Sequence, residues 1–230
     1  MKFHWFAEVT YPHLPSDFAE TQPSAWVTIP PHLHDPLLMG RTYRMFLDLL
    51  EHADAEGFDG LAVNEHHQNA GAVTPSPNLL AASLAKNTKN AALLVIGDSL
   101  ALYNPPLRVA EEMAYLDCLS EGRLIAGFVY GTPMDSVYAY GIPPAEIRDR
   151  FAEAHDLIKR AWAAKEPFAF NGRFSRLRYV NPWPKTVQQP YPPIWVPGSG
   201  SLETWDLVCE QNYCYGHLSF SGMKSAQPIV

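Results

Sequence analysis

Residues 93–96 read Leu-Leu-Val-Ile, a short run without a polar side chain. A continuous apolar strand is typical of a parallel sheet, whose strands are buried on both faces. The chain then gives apolar residues at helical spacing over 109–119, followed by a second apolar strand over 124–129. This strand–helix–strand succession predicts a parallel βαβ unit.

The same alternation extends in both directions from this unit. Further strands are predicted at 3–9, 59–64 and 194–197, with a sixth beginning at 213–217; further helices are predicted at 46–53, 79–85, 147–158 and 201–211. Alternating strands and helices predict an α/β fold with a parallel sheet. No Gly-x-Gly-x-x-Gly follows the first strand, which disfavours a dinucleotide-binding start. A doubly wound sheet and a (β/α)8 barrel both remain compatible with the pattern.

Two segments interrupt the alternation. Residues 10–40 form a long loop rich in Pro, His and Ser, and residues 167–193 combine a hairpin signal at Asn171-Gly172 with a Pro-rich connector. We interpret 1–230 as a single domain that carries both segments as insertions. A barrel of this type usually needs about 250 residues, so the five or six predicted strands indicate that its C-terminal part is incomplete.

Composition excludes several classes of protein. The 230 residues carry a formal net charge of −7 and no basic run, which argues against a nucleic-acid partner. The longest aliphatic stretch, 91–96, is too short to cross a bilayer, and no segment of signal-peptide length follows the N-terminus. Three cysteines without metal-type spacing fit a reducing compartment. We therefore expect a cytoplasmic protein, with the cysteines serving as packing residues.

Polar residues follow the predicted strands, and the most informative group is Asn64-Glu-His-His67. Catalytic groups of parallel barrels gather at the carboxyl ends of the strands, where His66 could transfer protons. The same residues could form a solvated strand end. A metal site is disfavoured because adjacent residues in an extended chain point to opposite faces.

A second group, Gly198-Ser-Gly-Ser201, follows a predicted strand and opens a helix. Free backbone amides and the helix dipole at such a position favour an anion, and barrels often bind phosphate in their later loops. An ordinary serine N-cap with flexible glycines explains the same residues. His32-Leu-His34-Asp35 has metal-like spacing, but we interpret it as a surface loop.

Five stretches, in this order and spacing, resemble the bacterial luciferase-like flavin monooxygenases. They are Ala62-Val-Asn-Glu-His-His67, Asn104-Pro-Pro-Leu-Arg-Val-Ala-Glu-Glu112, Leu116-Asp-Cys-Leu-Ser-Glu-Gly-Arg123, Gly127-Phe-Val-Tyr-Gly131 and Pro192-Pro-Ile-Trp-Val-Pro-Gly-Ser-Gly-Ser201. The resemblance covers residues 1 to about 217. It implies a TIM barrel, here incomplete, in which O2 and reduced FMN from a separate flavin reductase oxidise a small organic substrate. A homodimer is a candidate state by the same analogy.

The resemblance also implies roles for individual residues. His66 would be the general acid/base. The flavin-binding residues would be Ser99 and Leu100, joined by a non-proline cis peptide, with Val129, Tyr130, Val196, Gly198, Ser199, Gly200 and Ser201. Of these, Gly198 to Ser201 would hold the FMN phosphate and Val196 would line the ring. No metal ligand is implied.

Three positions depart from bacterial luciferase itself: Val129 replaces a reactive cysteine, Tyr130 a phosphate-binding arginine and Gly198 a glutamate. Luciferase activity is therefore not implied, and the phosphate contacts must differ. We also expect that a complete relative has well over a hundred further residues. Two alternatives stay open: a deazaflavin-dependent hydride-transfer oxidoreductase, and a flavin-free partner subunit without catalysis.

Overall fold

The computed structural model describes residues 1–218, so the last residues of the predicted domain, 219–230, lie outside the description. Its strands are β1 (His4–Phe6), β2 (Gly60–Val63), β3 (Ala92–Ser99), β4 (Leu124–Val129), β5 (Phe168–Asn171), β6 (Arg176–Val180), β7 (Ile194–Gly198) and β8 (Cys214–His217). Its α-helices are α1 (Phe18–Thr21), α2 (Pro36–Ala55), α3 (Pro77–Asn87), α4 (Leu107–Leu119), α5 (Ile147–Ala163) and α6 (Leu202–Gln211).

Six strands form one sheet in the order β1-β2-β3-β4-β7-β8, and every neighbouring pair is parallel. A doubly wound sheet would reverse its strand order at a switch point, whereas this order follows the chain throughout. The sequential order is that of a (β/α) barrel, and the prediction of a TIM-type arrangement with about six strands is confirmed for the described residues.

The sheet is strongly curled. The rings of His4 on β1 and Trp195 on β7 have centroids 5.3 Å apart, although three strands separate β1 from β7 in the sheet. In a flat sheet, four strand spacings would hold these strands about 19 Å apart. The inner face of the sheet therefore closes around a cavity, while the outer face packs against the helices.

The segment after α4 shows why the Leu-Asp-x-Leu-Ser-x-Gly-Arg block has its sequence. Gly122 has φ +83°, a conformation that favours glycine, and turns the chain from α4 into β4. The Arg123 guanidinium donates to the backbone carbonyls of Ala85, Thr88 and Ala91, so it joins the start of β4 to the end of α3 and the residue before β3. The block therefore has a structural role.

Helix α2 begins inside the predicted 10–40 loop. The Asp35 carboxylate accepts hydrogen bonds from the amides of Leu37 and Leu38, and Pro36 occupies the first turn. This N-cap explains the early start of the helix, because it satisfies backbone donors that would otherwise lack partners. Gly57, with φ +88°, lies just beyond the C-terminus, as expected from the sequence.

The predicted hairpin exists as the antiparallel pair β5–β6, but Asn171-Gly172 does not form a two-residue turn. Asn171 still pairs with Arg176, and the intervening loop wraps around the Glu153 carboxylate of α5. Its oxygens accept hydrogen bonds from the amides of Arg173, Phe174 and Ser175. A tertiary contact thus replaces the local turn.

Two further expectations are corrected. Strand β3 continues to Ser99, so Asp98 and Ser99 belong to the sheet and are buried rather than lying in a loop beyond it. The cysteines Cys118, Cys209 and Cys214 are exposed free thiols and not packing residues. Within residues 1–218, no helix is both long and apolar enough to cross a membrane.

Candidate active site

A cavity of about 730 Å³ opens at the carboxyl ends of the parallel strands. Its lining is mainly apolar, and most of its polar side chains belong to two groups. The apolar lining includes Ala62, Leu94, Ile96, Val129, Trp195 and Pro197; the first polar group is Glu8, Asn64, Glu65, His66 and Asp135, and the second is Arg148, Ser199 and Ser201. The volume lies in the range of ordinary ligand sites, roughly 300–1,000 Å³.

His66 follows β2 and meets a carboxylate from another part of the chain. Its Nδ1 lies 2.8 Å from Asp135 Oδ2, and Asp135 is in a π-helical segment, Met134–Ala139, that follows β4. The Thr132 hydroxyl donates to the same carboxylate oxygen at 2.9 Å, and the His67 amide donates to Oδ1 at 2.7 Å. Asp135 is therefore fixed by three contacts and orients the imidazole.

The other nitrogen of His66 faces a second acid. His66 Nε2 lies 3.7 Å from Glu8 Oε1, which also accepts a hydrogen bond from the Asn64 amide at 3.2 Å. The Trp26 ring meets the imidazole edge-on, with centroids 5.4 Å apart. The Glu8 side chain is 45% exposed and the Asp135 side chain only 1%, so only one of the two carboxylates is open to solvent.

His67 points away from His66 and makes different contacts. Its Nε2 lies 2.7 Å from Glu65 Oε1, and its Nδ1 lies 3.2 Å from the Tyr140 hydroxyl. The second Glu65 oxygen accepts the Ser99 amide at 2.6 Å. His67 thus belongs to a buried network that ties β2 to β3, while His66 faces the cavity, as the alternation of adjacent side chains requires.

The carboxylates decide the protonation of His66. Burial lowers the pKa of His66, but the hydrogen bond to Asp135 and the charges of Asp135, Glu8 and Glu65 outweigh it, so the net pKa is raised. Burial raises the pKa of Asp135, but its hydrogen bonds to His66 and the His67 amide, with the charge of His66, leave it lowered. The pair therefore favours an imidazolium beside a carboxylate.

A further acid lies under the sheet end. Asp98 is fully buried and accepts a hydrogen bond from Asn78 at 3.2 Å, while Asn78 also donates to Glu112 at 2.8 Å. Burial, together with the negative charge of Glu65, raises the pKa of Asp98 well above its ordinary value. Because it does not line the cavity, Asp98 is part of the support beneath the site.

In the second polar group, Ser201 stands at the N-terminus of α6, and its hydroxyl lies 2.7 Å from the Thr204 hydroxyl. Arg148, from the first turn of α5, lines the same cavity; its guanidinium lies 5.0 Å from the centre of the Tyr130 ring and 3.4 Å from Glu203, in the first turn of α6. A cation beside a helix N-terminus is suited to an anionic group.

The residues that line the cavity fit a flavin mononucleotide. The apolar lining is suited to a ring system, and Arg148 with the N-terminus of α6 is suited to a phosphate. A reduced flavin held there would supply the electrons for activation of O2.

Most predicted site residues line the cavity. They are His66, Ser99, Val129, Tyr130, Gly198, Ser199 and Ser201. Leu100, Val196 and Gly200 do not. Leu100 is buried in a 3₁₀ turn, and Val196 points into the hydrophobic core because its neighbours Trp195 and Pro197 occupy the inner face of β7.

The non-proline cis peptide joins Ile96 to Gly97 and not Ser99 to Leu100. Gly97 lies where β3 changes register against β4, between Val95 and Asp98. A Cβ added at Gly97 would lie 2.4 Å from the backbone of Gly127, so only glycine fits this approach. The prediction placed this feature three residues too late.

The sequence analysis missed Asp135 and Arg148. Both follow β4 in the chain, and Asp135 comes shortly after the end of that strand. An acid close after a predicted strand end was the available signal for Asp135. Arg148 lines the cavity from the start of α5, and no local sequence pattern indicates that position. Within residues 1–218, no group of three His, Cys, Asp or Glu side chains is arranged to hold a metal ion.

Comparison with known sequences points to one protein family. Residues 22–226 match the luciferase-like monooxygenase family. The chain is 32% identical over 157 residues to the oxygenase component of flavin-dependent trigonelline monooxygenase from Acinetobacter baylyi, covering 67% of this chain and 42% of that protein. It is 35% identical over 119 residues to limonene 1,2-monooxygenase from Rhodococcus erythropolis, covering 52% of this chain and 30% of that protein.

Solved structures with a similar fold include a monooxygenase and a dehydrogenase. Monooxygenase RslO1 from Streptomyces bottropensis superposes with a TM-score of 0.79 at 26% identity, covering 99% of this chain and 63% of that chain. An F420-dependent secondary alcohol dehydrogenase superposes with a TM-score of 0.60 at 22% identity, covering 68% of this chain and 48% of that chain, which is a likeness of fold. The chain spans less than half the length of these curated relatives, at 42% and 30%.

Proposed function

Because the chain belongs to the luciferase-like monooxygenase family, we propose that it acts as a flavin-dependent monooxygenase on a small organic substrate. The observation that carries the proposal is the placement of His66. Its imidazole lines the cavity while a fixed buried carboxylate, Asp135, holds its other side. This is the geometry of an oriented general acid/base.

His66 holds the proton that the reaction needs. Asp135 keeps Nδ1 protonated, so Nε2 is the atom that exchanges a proton with groups in the cavity. Glu8, 3.7 Å from Nε2 and partly exposed, connects that atom with solvent. We propose that His66 donates a proton to the reacting oxygen and recovers it through Glu8.

The cofactor is reduced FMN in this proposal. Arg148 and the N-terminus of α6, with Ser199 and Ser201, would bind the phosphate, and the apolar lining of the cavity would bind the ring. A separate reductase would supply the reduced flavin, which is supported by a relative that is named as the oxygenase component of a flavin-dependent enzyme.

The test is an anaerobic fluorescence titration of the chain with reduced FMN, followed by mixing with O2. We expect saturable binding, and consumption of O2 by the bound flavin. The Arg148→Met variant should bind FMN about ten- to hundredfold more weakly, because it loses a charge-assisted contact of about 1.5–3 kcal/mol. The matched control is Arg160→Met, an exposed arginine of α5 that does not line the cavity.

Two outcomes would contradict the proposed function, and a third would contradict the proposed phosphate site. Binding of the deazaflavin F420 in preference to FMN, with no O2 consumption, would indicate a hydride-transfer oxidoreductase instead. Absence of binding for both cofactors would indicate a chain without catalysis of its own. An unchanged FMN affinity in Arg148→Met would place the phosphate elsewhere in the cavity.

A further inference from the structure

A second cavity, separate from the flavin cavity, lies between the segment 11–34 and the segment that follows β2. Its volume is about 220 Å³. Its lining is almost entirely apolar, and the hydrophobic contributors are Tyr11, Leu14, Ile29, Pro30, Pro31, Leu33, Ala70, Val73 and Pro75. We refer to it as the apolar cavity.

Two polar side chains that line the apolar cavity, Tyr11 and Asn69, are engaged with the protein. The Tyr11 hydroxyl donates to the Leu33 carbonyl at 3.1 Å and accepts the Asp35 amide at 2.9 Å. The Asn69 side-chain oxygen accepts the Gly71 amide at 2.7 Å. No Lys, Arg, Asp or Glu is among the lining residues within the described part of the chain. A cationic guest would therefore lose its hydration without gaining a carboxylate as partner.

His66 belongs to both cavities. The same imidazole lines the apolar cavity and the flavin cavity, and its position is fixed by Asp135 on one side and Trp26 on the other. The His66 amide also donates to the Thr74 carbonyl at 3.0 Å, which holds the histidine against the wall formed by Val73 and Pro75. A molecule in the apolar cavity thus contacts the group that we propose as the acid/base.

We propose that the apolar cavity binds an uncharged hydrocarbon part of the substrate and places the reacting carbon next to His66. This inference rests on the proposed function, because it names the substrate class of the same site. Dry cavities of about 150 Å³ lined by aliphatic residues bind benzene, so 220 Å³ accommodates a hydrocarbon group of about six to ten carbons.

The experiment uses the full chain without flavin and two probes of similar shape, cyclohexene and cyclohexylammonium. Saturation-transfer NMR measures binding of each probe, and intermolecular nuclear Overhauser effects locate it. We expect cyclohexene to bind with contacts to the His66 ring protons, and cyclohexylammonium not to bind, because its charge would be buried without a partner.

Variants test whether cyclohexene binds in the apolar cavity. Leu14→Trp fills it and should weaken cyclohexene binding at least about tenfold, a loss of about 1.4 kcal/mol. Leu79→Trp is the matched control, because Leu79 is 72% exposed on α3 and lines neither cavity. Ile29→Ala enlarges the cavity and should favour cyclooctene over cyclohexene relative to the unmodified chain.

Each outcome separates this inference from the proposed function. Cyclohexene binding that is lost in Leu14→Trp and kept in Leu79→Trp supports it. Equal binding of the ammonium probe, or binding unaffected by both Leu14→Trp and Ile29→Ala, overturns it. FMN binding without any cyclohexene binding overturns this inference and leaves the flavin proposal standing. Cyclohexene binding without FMN binding overturns the flavin proposal and leaves this inference standing.

Discussion

Two largely buried histidines, His66 and His155, differ in almost everything except their burial. His155 of α5 lies among the rings of Phe128, Phe151 and Tyr213, and its Nε2 lies 2.9 Å from the Tyr213 hydroxyl. Burial, assisted by the charge of Lys159, lowers the pKa of His155 to about 4. His66 stands beside carboxylates at the open end of the sheet, and its pKa is raised.

The difference shows that burial alone does not make a functional histidine. In the aromatic layer behind β4, burial keeps the imidazole neutral, and the side chain acts as a packing and hydrogen-bonding group. At the end of β2, Asp135 and Glu8 reverse the effect of burial and hold a proton next to a cavity. The following changes test this comparison, from the largest expected effect to the smallest.

Removal of the His66 imidazole should have the largest effect. In His66→Ala, we expect oxygenation of a substrate by the reduced flavin complex to fall about 10²–10⁴-fold, because that is the usual contribution of a positioned acid/base. FMN affinity should stay within about threefold. Single-turnover product analysis measures the first and fluorescence titration the second. His52→Ala, at an exposed histidine of α2, is the control. An unchanged oxygenation rate would remove His66 from the mechanism.

The aromatic residues around His155 should contribute to the stability of the fold. Phe151 is buried, stacks on Tyr130 with centroids 4.1 Å apart, and lies against His155. Phe151→Ala should lower the free energy of unfolding by about 3–5 kcal/mol through loss of buried area and cavity formation. Urea denaturation measures it. Tyr115→Ala, at an exposed position of α4, should change it by about 0.5 kcal/mol or less. A similarly small effect of Phe151→Ala would contradict the packing.

His155 should produce an acid-side loss of stability. The unfolded chain binds a proton at the ordinary histidine pKa of about 6.5, while folded His155 stays neutral down to about 4. Stability therefore falls as pH falls between these values, by about 3 kcal/mol from this group. His155→Gln, which keeps a partner for Tyr213, should reduce that fall in pH-dependent urea denaturation. His52→Gln should leave it unchanged, and equal slopes for all three chains would contradict the prediction.

Asp135→Asn should lower the pKa of His66, because it removes the neighbouring charge and offers an amide donor to Nδ1. In the unmodified chain, the stability gained from charged His66 is complete below the unfolded histidine pKa and is lost as pH rises through the raised folded pKa. The variant should lose this alkaline-side dependence.

NMR titration of the His66 imidazole protons measures the change directly. Asp149→Asn, at an exposed position of α5, is the matched control. If the pKa of His66 were equal in Asp135→Asn and in the unmodified chain, the remaining carboxylates, Glu8 and Glu65, would be the source of its elevation.

The sequence predicted the parallel order of the sheet well because each apolar run carries its own signal. The four-residue run at 93–96 and the stripe at 109–119 are local patterns, and both correspond to observed elements, β3 and α4. Boundaries were less accurate where tertiary contacts extend an element. β3 continues through Asp98 because that acid is buried among Asn78, Tyr103 and other groups from elsewhere in the chain.

The site was predictable only in part for the same reason. Strand ends identified His66, Ser199 and Ser201, since the carboxyl ends of parallel strands share one edge. Asp135 is 69 residues from His66 in the chain, and Arg148 meets the cavity from the start of a helix. Val196 was placed on the wrong face, because a fully apolar strand gives no alternation from which to tell the inner face from the outer.

By itself, the sequence determined the alternation of elements, the family resemblance and the residue types at the strand ends, because these depend on local periodicity and composition. Only the tertiary structure decided which acid holds His66, that Arg148 reaches the same cavity, and that the His66 ring also borders an apolar cavity. Those properties depend on distances between residues far apart in the chain, and the curl of the sheet sets those distances.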